Sequence, residues 1–300
     1  MINFLKYSTL SFSFLAAILA SFIGLYFLRG GFNYSVDFTG GTQVVVHFNN
    51  PVKAADVREI LKKEDWRGVE VSEFDKNDFR VRIQDVSVEV VGLGEKIKDI
   101  LEKGLPGNKV EVLQSEQVSP SIGKSLVRNA VTAVLLALLA MMIYIFLFFK
   151  FSFAVGAVVA LLHDALAIGA VFLLLNWEIS IDVIAAVLMT LGYSINDTIV
   201  IFARIREEMK NASRHESMQD IVNRAINQTL RRTLLTSFST LLVVLSVLIL
   251  GGEALRNLSF ALLLGIIFGT YSSIFIASPI MMMFYKRKLT QGQEKQQAVS

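Results

Sequence analysis

The chain has 300 residues, of which 53% are apolar, with a net charge of +3 and no cysteine. So small a charge argues against a nucleic-acid binder. The missing thiols exclude disulfides, Cys-based metal sites and Cys nucleophiles, and three histidines far apart in sequence (His47, His163, His215) argue against a metal centre. Several apolar runs reach the roughly 20 residues that a helix needs to cross a bilayer, so the composition points to a polytopic membrane protein with one soluble insert.

After a short basic start, Tyr7–Leu28 is an apolar run closed by Arg29-Gly30-Gly31. It is too long for a signal-peptide core and lacks a convincing cleavage site, so it reads as the first membrane helix. From Asn33 to Lys124 the chain turns charged and alternating. Thr42–Phe48, Val69–Phe74, Phe79–Ile83 and Asn108–Leu113 have strand patterning, while Lys53–Lys63 and Leu93–Leu101 have helical spacing. The order β-α-β-β-α-β is that of a ferredoxin-like unit. No catalytic cluster lies in it, so it suits a recognition or lever role.

Five further spans follow: Asn129–Phe149, Phe151–Leu175, Ile181–Ala203, Thr233–Leu250 and a sixth within Leu258–Tyr285, before a polar tail. The expected fold is a polytopic α-helical membrane protein, with six transmembrane helices and a ferredoxin-like α+β periplasmic domain between helices 1 and 2. The expected divisions are 1–29, 30–127, 128–285 and 286–300. Basic residues set the orientation. The 204–232 loop carries Arg204, Arg206, Lys210, Arg214, Arg224, Arg231 and Arg232, and the tail carries Lys286, Arg287 and Lys288. Both termini are then cytoplasmic, and residues 30–127 face outward.

An acidic side chain inside a membrane span is costly and is a functional candidate by default. Asp197 lies in the inner half of the fourth span, roughly 9 Å from its inner end at 1.5 Å per residue. Tyr193 and Asn196 are placed to hydrogen-bond to it or near it. Its expected partner is Arg232, in register with Thr236 and Thr240 and flanked by Thr233 and Ser237; Arg231 reads as an interfacial anchor. His163-Asp164, midway along the third span, is a second anomaly. Adjacent residues are about 100° apart, so the two side chains are expected to point differently. The pair is either a structural polar pair or a second stop on a proton path. Small residues recur every fourth position in the sixth span (Ala261, Gly265, Gly269, Ser273, Ala277) and in the fourth (Ala186, Thr190, Ser194, Thr198), a pattern of close helix packing.

With these residues in view, the chain resembles the SecF family, the smaller membrane subunits of the bacterial SecD–SecF protein-export complex. The likeness covers nearly the whole chain. It rests on Asp37-Phe38-Thr39-Gly40-Gly41-Thr42 after the first span, on His163-Asp164, on Gly192-Tyr193-Ser194-Ile195-Asn196-Asp197-Thr198, on Arg204-Ile205-Arg206-Glu207, and on Arg232-Thr233-Leu234-Leu235-Thr236-Ser237. Two departures stand out. Ala203 replaces an acid that the family often has, and Arg231 precedes the family's single arginine.

The resemblance implies membership of the resistance-nodulation-division superfamily and residence in the bacterial inner membrane. It implies a SecD partner, the SecYEG channel, unfolded preprotein and membrane lipid as contacts, and no nucleic acid. It implies proton-motive-force-driven late translocation with H+ or Na+ as the coupling ion, no cofactor and no enzymatic activity. Its proton-handling pair falls on Asp197 and Arg232. Asp37–Thr42 reads as a rigid junction between membrane and outer domain. The competing readings are a proton-driven small-molecule or lipid exporter of the same superfamily, a passive translocon scaffold, and an intramembrane enzyme built on His163.

Overall fold

The computed structural model describes residues 2–64, 66, 69–75, 77–83, 92–118, 120–213 and 216–285. The tail 286–300 with Lys286, Arg287 and Lys288, and the loop residues Arg214 and His215, lie outside the described residues.

A short 3-10 turn leads into α1 (Ser8–Arg29). The helix stops at Gly30, whose φ of 72° lets its N–H reach Phe27 O while Gly31 N–H reaches Tyr26 O. That pair of bonds is a Schellman closure, which needs a residue comfortable in the left-handed region. One helical turn, α2 (Val36–Thr39), precedes the sheet.

The extramembrane domain runs β1 (Gly41–Phe48), α3 (Ala54–Leu61), β2 (Glu70–Asp75), β3 (Asp78–Ile83), α4 (Leu93–Gly104) and β4 (Val110–Val118). The strand order is β2-β3-β1-β4 with every neighbouring pair antiparallel, the arrangement of a ferredoxin-like unit. Val44, Val46 and Phe48 of β1 meet Phe79 and Val81 of β3, and α3 and α4 cover them with Val57, Leu61, Ile97 and Leu101. Strand alternation and helical spacing thus feed one core.

Five more helices complete the membrane part: α5 (Pro120–Phe148), α6 (Phe151–Leu175), α7 (Ile181–Asn211), α8 (Met218–Leu250) and α9 (Gly252–Ser272). A π-helical turn at Ser273–Ala277 follows α9, and α-helix then resumes to Tyr285. With α1, six helices are long and apolar enough to span a membrane. Within the chain α6, α7 and the last helix are 44–50% buried, against 6–17% for α1, α5 and α8. The first three are therefore the centre of the bundle.

Small residues make that centre possible. A Cβ on Gly265 would stand 2.3 Å from Thr190 Cγ2, one on Gly269 2.8 Å from Ser194 Cβ, and one on Gly156 2.5 Å from Ala277 O.

Two boundaries differ from the sequence reading. α5 starts at Pro120, inside the segment 30–127 assigned by sequence to the outer domain, because proline suits the first turn of a helix. The basic 204–232 loop is mostly helix: α7 continues to Asn211 and α8 begins at Met218. No glycine or proline interrupts it. Arg204 pairs with Glu208 at 2.9 Å one turn on, and Ser217 accepts from Asp220 N to cap α8.

Candidate functional site

Four helices bring polar side chains to the centre of the bundle. Asp164 of α6 is buried and collects three partners. Ser194 Oγ on α7 donates to its Oδ2 at 2.7 Å and Ser272 Oγ on α9 at 2.9 Å, while His163 Nδ1 lies 3.0 Å from Oδ1. The expectation that His163 and Asp164 point apart is corrected. The side-chain torsions close the 100° between neighbours, and the pair is hydrogen-bonded. With the Nδ1 proton directed at Asp164, Nε2 has no partner among the described residues; it sits among apolar walls that include the Phe268 and Tyr271 rings.

Asp197 of α7 is also buried, but its close contact is not the expected one. Ser237 Oγ of α8 donates to Oδ2 at 3.3 Å, and Thr270 Oγ1 lies 2.7 Å from that serine. Arg232 lies on an exposed face and makes no ion pair with Asp197 within 4.0 Å. Thr236 Oγ1 bonds within its own helix, to Arg232 O at 3.0 Å and Thr233 O at 2.9 Å. The register of the α8 stripe places Ser237 inward and leaves Arg232 at its rim.

Among the described residues neither Asn196 nor Tyr193 bonds Asp197 itself. Asn196 faces outward, about 100° round the helix from Asp197. Tyr193 reaches past the carboxyl to α8, where its hydroxyl donates to Thr236 O at 2.9 Å and pairs with Thr240 Oγ1.

The last helix joins the two carboxyl clusters. Thr270 belongs to the Asp197 side, Ser272 binds Asp164, and Ser273 bonds Thr198 Oγ1 at 2.8 Å and Ser194 O at 3.2 Å. The π turn begins at Ser273, and such turns recur where a helix is locally strained for function. Thr270, Ser272 and the π turn were not singled out by sequence, although Thr270-Tyr271-Ser272-Ser273 is a polar run inside an apolar span.

The junction motif ends on the helix that carries Asp197. Asp37 Oδ2 accepts from Ile181 N, the first residue of α7, at 3.2 Å and from Ser35 Oγ at 2.9 Å. A carboxylate there completes an open helix end and complements its dipole. Around it Ser35 N donates to Ile179 O at 3.0 Å and Ile179 N to Asn33 O at 2.8 Å, a short parallel bridge between the motif and the α6–α7 turn. Phe38 and Thr42 are buried, and Thr39 Oγ1 bonds Ser35 O. Gly40 and Gly41, at φ 76° and 128°, turn the chain into β1.

Comparison with known proteins decides what this assembly is. The model of the SecD/SecF GG motif matches residues 28–52, and that of the protein export membrane protein SecD/SecF C-terminal region matches residues 96–287. The protein translocase subunit SecF of Thermodesulfovibrio yellowstonii is 36% identical over 289 residues, which is 95% of this chain and 94% of that one. The chain belongs to the SecF family. The translocase subunit SecDF of Thermus thermophilus is 38% identical over 97% of this chain and 39% of its own length. The crystal structure of SecDF from that organism superposes with a TM-score of 0.85, over 95% of this chain and 39% of that one. A SecDF structure in a super-membrane-facing form gives 0.72. The chain thus spans about 39% of the SecDF proteins it matches.

In this SecF-family chain a second clamp sits beside the Asp37 cap. Arg82 of β3, 6% exposed, pairs with Glu178 of the α6–α7 turn and contacts Glu70 at 3.3 Å. Asn257 Nδ2 of α9 donates to Glu178 O. Removing one partner of a buried ion pair costs about 3 kcal/mol, because the other charge is stranded. Arg82→Ala is therefore expected to loosen the outer domain, read as faster limited proteolysis of β1–β4 in the purified protein. Arg82→Glu combined with Glu178→Arg is expected to recover part of the loss. Unchanged proteolysis in the single variant would show the clamp to be idle.

Proposed function

We propose that this chain is a protein-export subunit that works with SecD, and that it couples proton movement at Asp197 to movement of the outer domain. One observation carries the reading. The helix that holds Asp197 has its first N–H on Asp37 and follows directly on the turn that Arg82 grips through Glu178, so α7 and the outer domain are mechanically joined. Asp164, His163, Arg232, Thr236 and Asn196 serve the same path. Asp164 holds the hydroxyls that α7 and α9 share, and Arg232 sets the field at its inner rim. H+ is the coupling ion, and no cofactor or covalent chemistry is needed.

SecD completes the path from outside. Ala185, Met189, Gly192 and Asn196 form an exposed face of α7 with a polar side chain at membrane depth, the kind of surface a second bundle covers. The chain resides in the bacterial inner membrane, with both termini and the basic helical extensions in the cytoplasm and the sheet domain in the periplasm. There it acts beside SecYEG on unfolded preprotein.

The test is export of a secreted preprotein into membrane vesicles carrying Asp197→Asn, with and without a proton-motive force, at matched protein levels. Asn keeps the shape and removes the titratable proton. The force-dependent part of export is expected to vanish while force-independent export persists. Full force dependence in the variant would remove Asp197 from the coupling.

A further inference from the structure

α1 and α5 both pack on α6, and between them lies a groove of about 400 Å3, within the size range of ligand sites. Its floor is Ala165, Ile168, Gly169 and Phe172 of α6, and its walls include Phe22 of α1 and Val134 of α5. The ring ladder Phe22–Phe32–Tyr34–Phe38, with centroids 5.7–5.9 Å apart, lines it toward the sheet domain. Along its open side Val131, Leu135 and Leu162 stand exposed at membrane depth.

We infer that this groove holds one anionic phospholipid of the leaflet on the sheet-domain side, with an acyl chain along α6 and the headgroup on Arg29, Lys124 and Arg128. Its length supports a single chain. Lining residues on α5 run from Val127 to Leu138, about 16 Å at 1.5 Å per residue, close to half of a hydrocarbon core about 30 Å thick. With α6 as its floor and α1 and α5 as its walls, this apolar slot suits an extended hydrocarbon chain.

Charge at the mouth selects the headgroup. Lys124 lies three residues before Val127, Arg128 three before Val131, and Arg29 seven after Phe22, so each continues a groove-lining face to the membrane surface. Arg29 Nη2 donates to Leu174 O at the end of α6, at 3.0 Å. None of the three cations makes an ion pair with a carboxylate among the described residues. They gather on the face opposite the main basic cluster, so the rule that orients membrane helices does not account for them. Arginine and lysine at that depth match a phosphate, arginine as a fork.

The test uses native mass spectrometry of the full chain in mild detergent. The chain is incubated with equal amounts of palmitoyl-oleoyl phosphatidylglycerol and palmitoyl-oleoyl phosphatidylcholine, which share their acyl chains. Retention of the phosphatidylglycerol is expected to exceed that of the phosphatidylcholine by about tenfold. Lys124→Gln with Arg128→Gln is expected to bring the two within about twofold. Ala130→Trp, which fills the groove, is expected to lower retention of both. Equal retention by the native chain overturns the proposal, as does a filled groove that retains as much lipid. Loss of bound phosphatidylglycerol when the chain is purified with its partner subunit would assign the groove to the partner and overturn it too.

Discussion

Replacing Asp164 by leucine is expected to destabilise the bundle by about 3–5 kcal/mol, whereas asparagine is expected to cost about 1 kcal/mol. The difference follows from what each leaves behind. Leucine removes the acceptor of Ser194 Oγ and Ser272 Oγ and the partner of His163 Nδ1 in one step. Ser272 can fall back on Gly269 O at 3.2 Å, which it already approaches. His163 has no such recourse, because Nε2 is already without a partner among the described residues and leucine would leave the whole ring so. A buried polar group without a partner costs about 1–3 kcal/mol. Asparagine keeps the shape, offers its oxygen to the two serines and turns its amide toward the imidazole, which then needs only the other tautomer.

The midpoint of thermal unfolding of the purified chain reads this difference. An equal cost for both variants would mean that Asp164 is not the hub of the cluster. Export separates the two roles left open by sequence. If Asp164 only organises the centre, the asparagine variant is expected to export with full force dependence. If it also carries a proton, that variant is expected to fold and yet lose the force-dependent part.

The acidic residues were legible in the sequence for the same reason that they are costly: each interrupts a long apolar run. The spans and the β-α-β-β-α-β order were legible because hydropathy and periodicity are properties of one segment at a time. Partners are not. Which hydroxyl meets Asp197 depends on how α7 and α8 are rotated against each other, and one helical position separates Thr236, on the face of Arg232, from Ser237. Asn196 turns outward by the same arithmetic. Pro279, two residues beyond the π turn at Ser273–Ala277, offers no N–H to Phe275 O, and that break in the ladder is the turn's one local signal; packing against α6 and α7 holds it. The Arg82–Glu178 clamp joins residues 96 positions apart, beyond any local pattern.

Gly265→Ala is expected to cost about 3 kcal/mol, an overpacking penalty at the high end because neither backbone has room to yield. The new Cβ would fall 2.3 Å from Thr190 Cγ2 and 2.4 Å from Thr190 Cβ. Thr190 is short and β-branched, with Oγ1 bonded to Val187 O at 2.8 Å, so no flexible end can swing aside. α7 and α9 must separate instead. That also pulls Ser273 from Thr198 and Ser272 from Asp164, so force-dependent export is expected to fall with stability.

Thr190→Gly removes the obstructing atoms at the usual helix-interior penalty of about 1 kcal/mol, on top of the packing that the threonine side chain supplied. The double variant is expected to be more stable than the sum of the single effects, a positive coupling that a double-mutant cycle reads directly. Gly192 supplies the contrast. It sits on the same helix two residues on, but a Cβ there meets nothing within 4 Å in the chain. In the isolated chain Gly192→Ala is expected to be neutral or to stabilise by about 0.5–1 kcal/mol through the unfolded state. With SecD bound over that face, the same substitution is expected to weaken assembly, read as reduced co-purification. If Gly192→Ala proves harmless in both settings, the partner docks elsewhere, and the outward Asn196 must find its hydrogen bonds in water or lipid headgroups.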